Sequence, residues 1–215
     1  LRAAGLLSTA AVVPHLISSV QAQSQSGLPE STDTSDDIIY MSATKLAGLI
    51  RQKKVSATEA VNAYIKRQIA VNDKLNAVVT NCFERALAEA AALDAKAARG
   101  EFVGKLHGVP MIIKDSLDSE GVTSTGATVG RQQYVPTKDA TVVGRVRKAG
   151  AILLGKTNTP EFTLGGLGGI STASNLLFGA SHNPYDLTRS TSGSSCVAGA
   201  GVTARLGAFD IVSDW

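Results

Sequence analysis

Three stretches of this chain carry side chains able to do chemistry. Lys114 closes the apolar run Val109-Pro110-Met111-Ile112-Ile113. If that run is a central strand, its neighbours desolvate the amine, and desolvation favours the neutral, proton-accepting form. A plainer reading is also open: a lysine at a strand end whose stem lies on apolar surface while its head reaches water. The second stretch, Ser190-Thr191-Ser192-Gly193-Ser194-Ser195-Cys196, is a hydroxyl-rich turn leading into a helix that opens with small residues. Such a turn either brings hydroxyls and amides close to a ligand or simply caps the helix. The third, Gly150 through Gly155-Lys156-Thr157, matches the phosphate-loop spacing G-x-x-x-x-G-K-T. A working phosphate loop has a strand before its first glycine and a helix after the Lys-Thr, so that backbone amides converge on the anion. Here the order is reversed and Pro160 soon follows. Nucleotide binding is therefore not expected.

Other catalytic sets are thinly supplied. Beyond the first residues only His107 and His182 remain, and no G-x-S-x-G elbow occurs, so a Ser-His-Asp hydrolase is poorly supported. Two such histidines and two scattered cysteines, Cys82 and Cys196, give no zinc pattern, and no metal is implied. Two cysteines are also too few for a small-domain disulfide framework.

The elements that must position these groups can be read from periodicity. Leu46, Leu49 and Ile50 fall at helical spacing, and Ser56 with Glu59 forms a capping-box pattern. Val61, Tyr64, Ile65 and Ile69 are expected to continue one apolar face. Cys82 to Ala98 is rich in helix formers and Gly100 supplies a stop. The opening is thus read as helical throughout. Beyond Gly100 short apolar runs alternate with helical segments: a strand at Val109 to Ile113, a helix at Asp139 to Ala149 and a strand at Ala151 to Leu154. A helix at Ser194 to Leu206 and a strand at Ala208 to Val212 follow. This rhythm predicts a layered α/β fold without internal repeats.

Length and composition agree with a globular chain: 215 residues, 44% hydrophobic and 18% charged. Lys and Arg number 21 against 18 Asp and Glu, a net charge of +3 without a basic run, so nucleic acid is not an expected partner. Residues 1–22 read as an export signal: Arg2, a small and apolar run from Ala3 to Val20, then Val20-Gln21-Ala22 as a cleavage pattern. That run is broken by Pro14 and His15, so no stable membrane span is expected. Residues 23–37 read as a polar linker, with the folded body starting near Ile38. A secreted or periplasmic location follows from the leader.

Taken together, these segments resemble the amidase signature family of serine hydrolases. The resemblance rests on Gly108-Val109-Pro110 and Lys114-Asp115, then Asp139-Ala140 leading to Gly150-Ala151, Gly155-Lys156-Thr157-Asn158 and Pro160-Glu161-Phe162. Asn175, Phe178-Gly179, Asn183-Pro184-Tyr185-Asp186 and Gly193-Ser194-Ser195 continue in the family's order. It implies a layered α/β/α domain with a mixed sheet, residues 38–215 being the N-terminal part, truncated after the bridging-serine helix. It also implies a Ser-Ser-Lys triad acting on a small-molecule amide, with neither metal nor organic cofactor. Lys114 matches the base. Ser194 matches the bridging serine, with Gly193-Ser194 as a cis peptide. By place in the pattern, Gly168, Ser194 and Trp215 are expected beside the substrate.

The sequence departs from the family in two respects. The nucleophile belongs to D-x-G-G-S, and counted from Asp214 its serine falls beyond Trp215. Ser192 stands before Gly193, and Cys196-Val197 replaces a Gly-Gly pair, so Val197 is expected to crowd the substrate. The 215 residues alone are therefore expected to lack triad-dependent amidase activity. The alternative reading is a catalytically inactive truncated product or interaction module. An amidotransferase component that releases ammonia from glutamine also belongs to this family, but that role is intracellular and the leader argues against it.

Overall fold

The computed structural model describes residues 34–164 and 173–213. Gly168, Trp215, Asp214 and the leader lie outside the described residues. The first helix, α1 (Thr34–Ile39), begins before Ile38 and buries Ile38 and Ile39. In α2 (Ala43–Arg51) the Ser42 hydroxyl accepts from the Lys45 amide, and Leu46 and Ile50 are buried.

Helix α3 (Ala57–Leu75) carries the expected capping box: Glu59 N–H donates to Ser56 Oγ at 3.0 Å and Ser56 N–H donates to Glu59 Oε2 at 2.7 Å. Its buried stripe differs from expectation at the end. Ile69 is 68% exposed, whereas Gln68 is buried and donates its side-chain amide to the Leu206 carbonyl at 2.7 Å. Position 68 lies three and four residues beyond Ile65 and Tyr64, so it continues their stripe, and one further residue turns out by about 100°. A buried amide is tolerated there because it is hydrogen-bonded.

Asn76, in the left-handed region at φ 48°, ends α3 and turns the chain into β1 (Val78–Asn81), a strand the helical reading of the opening missed. Helix α4 (Phe83–Ala98) follows, stopped at Gly100 with φ 81°. Next come β2 (Pro110–Lys114), α5 (Thr141–Lys148) and β3 (Ile152–Thr157). Two small hairpins, β4 (Ser174–Asn175) with β5 (Gly179–Ala180) and β6 (His182–Asn183) with β7 (Asp186–Ser190), lead to α6 (Cys196–Thr203) and β8 (Asp210–Ile211).

The main sheet has strand order β1-β3-β2-β8. β2 runs parallel to both β3 and β8, while β1 is antiparallel to β3, so the sheet is mixed. β2 and β3 are buried along their whole length, as strands covered on both faces must be. One face packs Ile112, Ile152 and Leu154 against Val61 and Tyr64 of α3 and Val197 of α6. The other packs Met111, Ile113 and Leu153 against Val143 of α5.

A β-bulge interrupts the β2–β3 register: Met111 pairs with Leu153, but Ile112 pairs with Gly155, leaving Leu154 as the surplus residue. Beyond it, Ile113 pairs with Lys156 and Lys114 with Thr157.

Candidate active site

Lys114 is the last residue of β2 and is fully buried. It shares its sheet face with Ile112, the face covered by α6, because alternate residues of a strand point the same way. The turn before α6 brings the serines to it. Lys114 Nζ lies 2.7 Å from Ser194 Oγ and 2.9 Å from Ser195 Oγ, and donates to the Ser213 carbonyl at 3.2 Å. Ser195 Oγ donates to that same carbonyl at 2.8 Å. The Gly193-Ser194 peptide is cis. Lysine and serine are 80 positions apart in sequence, so the sheet-and-helix packing creates their contact.

Ser195 and the Ser213 carbonyl were not singled out by sequence reading as partners of the amine. Two adjacent serines before a helix cannot be told apart by type. The carbonyl, being backbone, leaves no residue-type signal. Ser192 adopts φ 64°, a conformation that suits glycine, and this explains why a glycine pattern breaks at some cost there. Val197 is fully buried in the core with Ile112 and Leu206, so its side chain is used in packing and the expected crowding of the substrate is not its role.

The opposite sheet face carries a second buried amine. Lys156 donates to the Leu117 carbonyl at 2.6 Å and to Ser124 Oγ at 2.8 Å, and lies 3.9 Å from Asp115 Oδ1. Asp115 in turn accepts from the Thr125 hydroxyl and from the Thr125 amide, 3.1 Å from its Oδ2. Burial pulls Lys156 down to about 8, against the pull of Asp115, and burial pushes Asp115 upward against Lys156 and Thr125.

The phosphate-loop spacing is thereby accounted for by packing. Lys156 lies within β3, and a Cβ on Gly155 would stand 2.6 Å from the Thr80 carbonyl oxygen of β1. Gly150 has φ 98°, and a Cβ there would meet His107 Cα at 2.7 Å. Neither glycine lies in a loop that opens a helix.

The histidines are committed locally. His107 Nδ1 accepts from the Val103 amide at 3.0 Å, with its Nε2 3.2 Å from the Leu93 carbonyl; His182 Nδ1 is 2.9 Å from the Leu187 carbonyl. Cys82, buried, and Cys196, exposed, are both free thiols. Asn175 donates to Asn158 Oδ1 at 2.6 Å and to the Thr159 carbonyl at 2.9 Å, tying β4 to the chain just past β3. Among the described residues no helix is long and apolar enough to cross a membrane.

A lysine and two serines gathered at the end of a mixed sheet, under a helix, define a layered α/β protein with an amine–hydroxyl site. The model of the amidase family matches residues 59–215, and the chain belongs to that family. It is 43% identical over 178 residues to a glutamyl-tRNA(Gln) amidotransferase subunit from Moorella thermoacetica, covering 83% of this chain and 36% of that protein. It is 42% identical over 166 residues to indoleacetamide hydrolase of Bradyrhizobium diazoefficiens, covering 77% and 31%. Among solved structures, 6-aminohexanoate cyclic dimer hydrolase complexed with substrate aligns with TM-score 0.69 at 37% identity, covering 79% of this chain and 33% of that one. Fatty acid amide hydrolase aligns with TM-score 0.78 at 26% identity, covering 86% and 32%. The chain spans about a third of the length of the relatives it matches.

Proposed function

We propose that this chain carries the base and the bridging serine of an amidase that hydrolyses the C–N bond of small-molecule carboxamides. The observation that carries the reading is the 2.7 Å approach of Lys114 Nζ to Ser194 Oγ. Similarity to an indoleacetamide hydrolase and to a 6-aminohexanoate cyclic dimer hydrolase supports an amide as the bond broken.

Hydrogen-bond directions around the amine give the relay its sense. The Ser195 proton is committed to the Ser213 carbonyl, so Ser195 Oγ and that carbonyl both act as acceptors towards Lys114. A neutral amine has two N–H donors and one lone pair. In that neutral form the amine can turn its lone pair to the Ser194 hydroxyl, 2.7 Å away. Lys114 can then accept the Ser194 proton while Ser194 Oγ takes one from the nucleophilic serine. In the family pattern that third hydroxyl is the serine of D-x-G-G-S, whose first position Asp214 matches. In the return step the protonated amine passes its proton back through Ser194 to the departing amine.

The test is ammonia release from a simple carboxamide by a protein that contains this chain and continues into Gly-Gly-Ser. Activity abolished by Lys114→Ala in a folded variant is the expected result. Hydrolysis that survives the substitution rejects the relay. The leader reading has its own test, the mature N-terminus: a product that retains Arg2 contradicts export.

A further inference from the structure

Lys114 does not have its sheet face to itself. Asp210 of β8 pairs with Ile112, so its side chain leaves the sheet on the face used by Ile112 and Lys114. Thr157 of β3 pairs with Lys114 and leaves on the same face. The two side chains, from the strands flanking β2, meet: Thr157 Oγ1 donates to Asp210 Oδ2 at 3.0 Å. Helix α6 closes over them, with Gly201 so near that a Cβ would stand 2.8 Å from Ile112 Cδ1 and 3.8 Å from Thr157 Cγ2. Asp210 Oδ1 is buried with no hydrogen-bond partner. A carboxyl in that position is unusual, since a buried polar oxygen is nearly always paired. The relay itself uses neither oxygen.

We propose that Asp210 is a positioning residue of the same site, which sets the charge carried by Lys114 from the shared sheet face. The inference rests on the reading of Lys114 as the base. An ionised carboxylate on this shared face favours Lys114 as the ammonium, which cannot accept a proton from Ser194. A protonated carboxyl removes that hold and leaves the amine to act as a base.

The groups packed around Asp210 leave Lys114 as its charged counterpart. β3 offers the neutral Thr157. The one titratable side chain of α6 is Cys196, which is exposed and turned to the Gly193 carbonyl. Arg67 of α3 is occupied with the Ala204 carbonyl at 2.8 Å, beyond the far end of α6. Burial pushes the Asp210 carboxyl up to about 7, against the pull of the Thr157 hydrogen bond and of the Lys114 charge. Its ionisation thus falls in the neutral range, where it can govern a neighbouring amine.

The experiment is an NMR titration of the 215-residue chain carrying ¹⁵N at lysine Nζ and ¹³C at aspartate carboxyls. In Asp210→Asn the Lys114 signal is expected to titrate at lower pH than in the parent chain. The Lys156 signal, on the opposite face, is the control and is expected to stay in place. If Asp210→Asn does not fold, Lys114→Met supplies the reciprocal reading, because coupling between two sites acts equally on both. The Asp210 carboxyl then titrates at higher pH than in the parent chain. An unmoved partner signal in a folded variant overturns the proposal. These readouts need no turnover, so coupling that is present while hydrolysis survives Lys114→Ala keeps the Asp210 inference and rejects the triad alone.

Discussion

Lys114 and Lys156 stand one register step apart on adjacent strands yet leave opposite faces of the sheet: Lys156 pairs with Ile113, and Lys114 with Thr157. Both are fully buried. Their partners differ in kind. Lys114 meets serine hydroxyls and a backbone carbonyl, whereas Lys156 has a carboxylate, a hydroxyl and a carbonyl that form a closed network. The first surroundings suit proton exchange and the second suit a fixed structural brace.

Replacing each lysine by methionine separates the two roles. In a protein that includes Gly-Gly-Ser, Lys114→Met is expected to lower kcat by about 10²–10⁴-fold, the usual contribution of a general base. Lys156→Met leaves Asp115 buried without its cation and is expected to destabilise the fold by about 3–5 kcal/mol. Chemical denaturation alongside steady-state kinetics distinguishes the two, and equal effects on both quantities would contradict the division of labour.

The two serines are expected to rank. In the proposed relay Ser194→Ala removes the hydroxyl between amine and nucleophile, and should approach the loss caused by removing Lys114. Ser195→Ala deletes one neutral hydrogen bond that orients the amine, about 0.5–1.5 kcal/mol, so a loss of about 2- to 13-fold is expected. Comparison of kcat for the two alanine variants checks this order, and a reversed ranking would assign the relay to Ser195.

Asp210 makes a prediction for stability against pH. Its folded-state value, about 7, lies above the ordinary carboxylate value of 3.8. Between these limits the native state binds more protons than the unfolded chain, so the stability from this group is complete below about 4 and declines as pH rises towards 7. Each unit of difference corresponds to about 1.4 kcal/mol at most. Asp210→Asn should flatten that part of the urea-stability profile, and a slope unchanged by the substitution counts against a neutral Asp210 in the native state.

Ser192→Gly is expected to stabilise. Its φ of 64° is unfavourable for a residue with a Cβ, and relief of that strain exceeds the added flexibility of the unfolded chain by about 0.5–1 kcal/mol. A rise in Tm of roughly 2–4 °C for this chain length would register it. A fall would show that the flexibility glycine adds to the unfolded chain outweighs the relief of backbone strain.

Much of the architecture was legible because apolar periodicity and end signals act locally. The Ser56–Glu59 box, the Gly100 stop and the buried runs that became β2 and β3 depend on neighbours within one turn or one strand. β1 was not legible. It is a four-residue edge strand whose burial falls away toward Asn81, and it is held by pairing with β3 far along the chain. Ile69 misled for a related reason, since an isoleucine one position off the stripe looks apolar without being covered. At the site, Lys114 and Ser194 could be named from motif order. Ser195, the Ser213 carbonyl and Asp210 emerge only once β8 lies beside β2, because no local pattern encodes which strand becomes whose neighbour.

The surplus residue at Leu154 has a consequence for parity. In an unbroken strand Ile152, Leu154 and Lys156 would all point one way, and the second amine would crowd the pocket that holds the first. One extra step in β3 shifts the count, sends Lys156 through to the far side, and brings the uncharged Thr157 up beside Lys114. Two lysine side chains in a single compartment would compete for the same space and partners; here the sheet itself is the partition, and a single added amino acid decides which amine occupies each side.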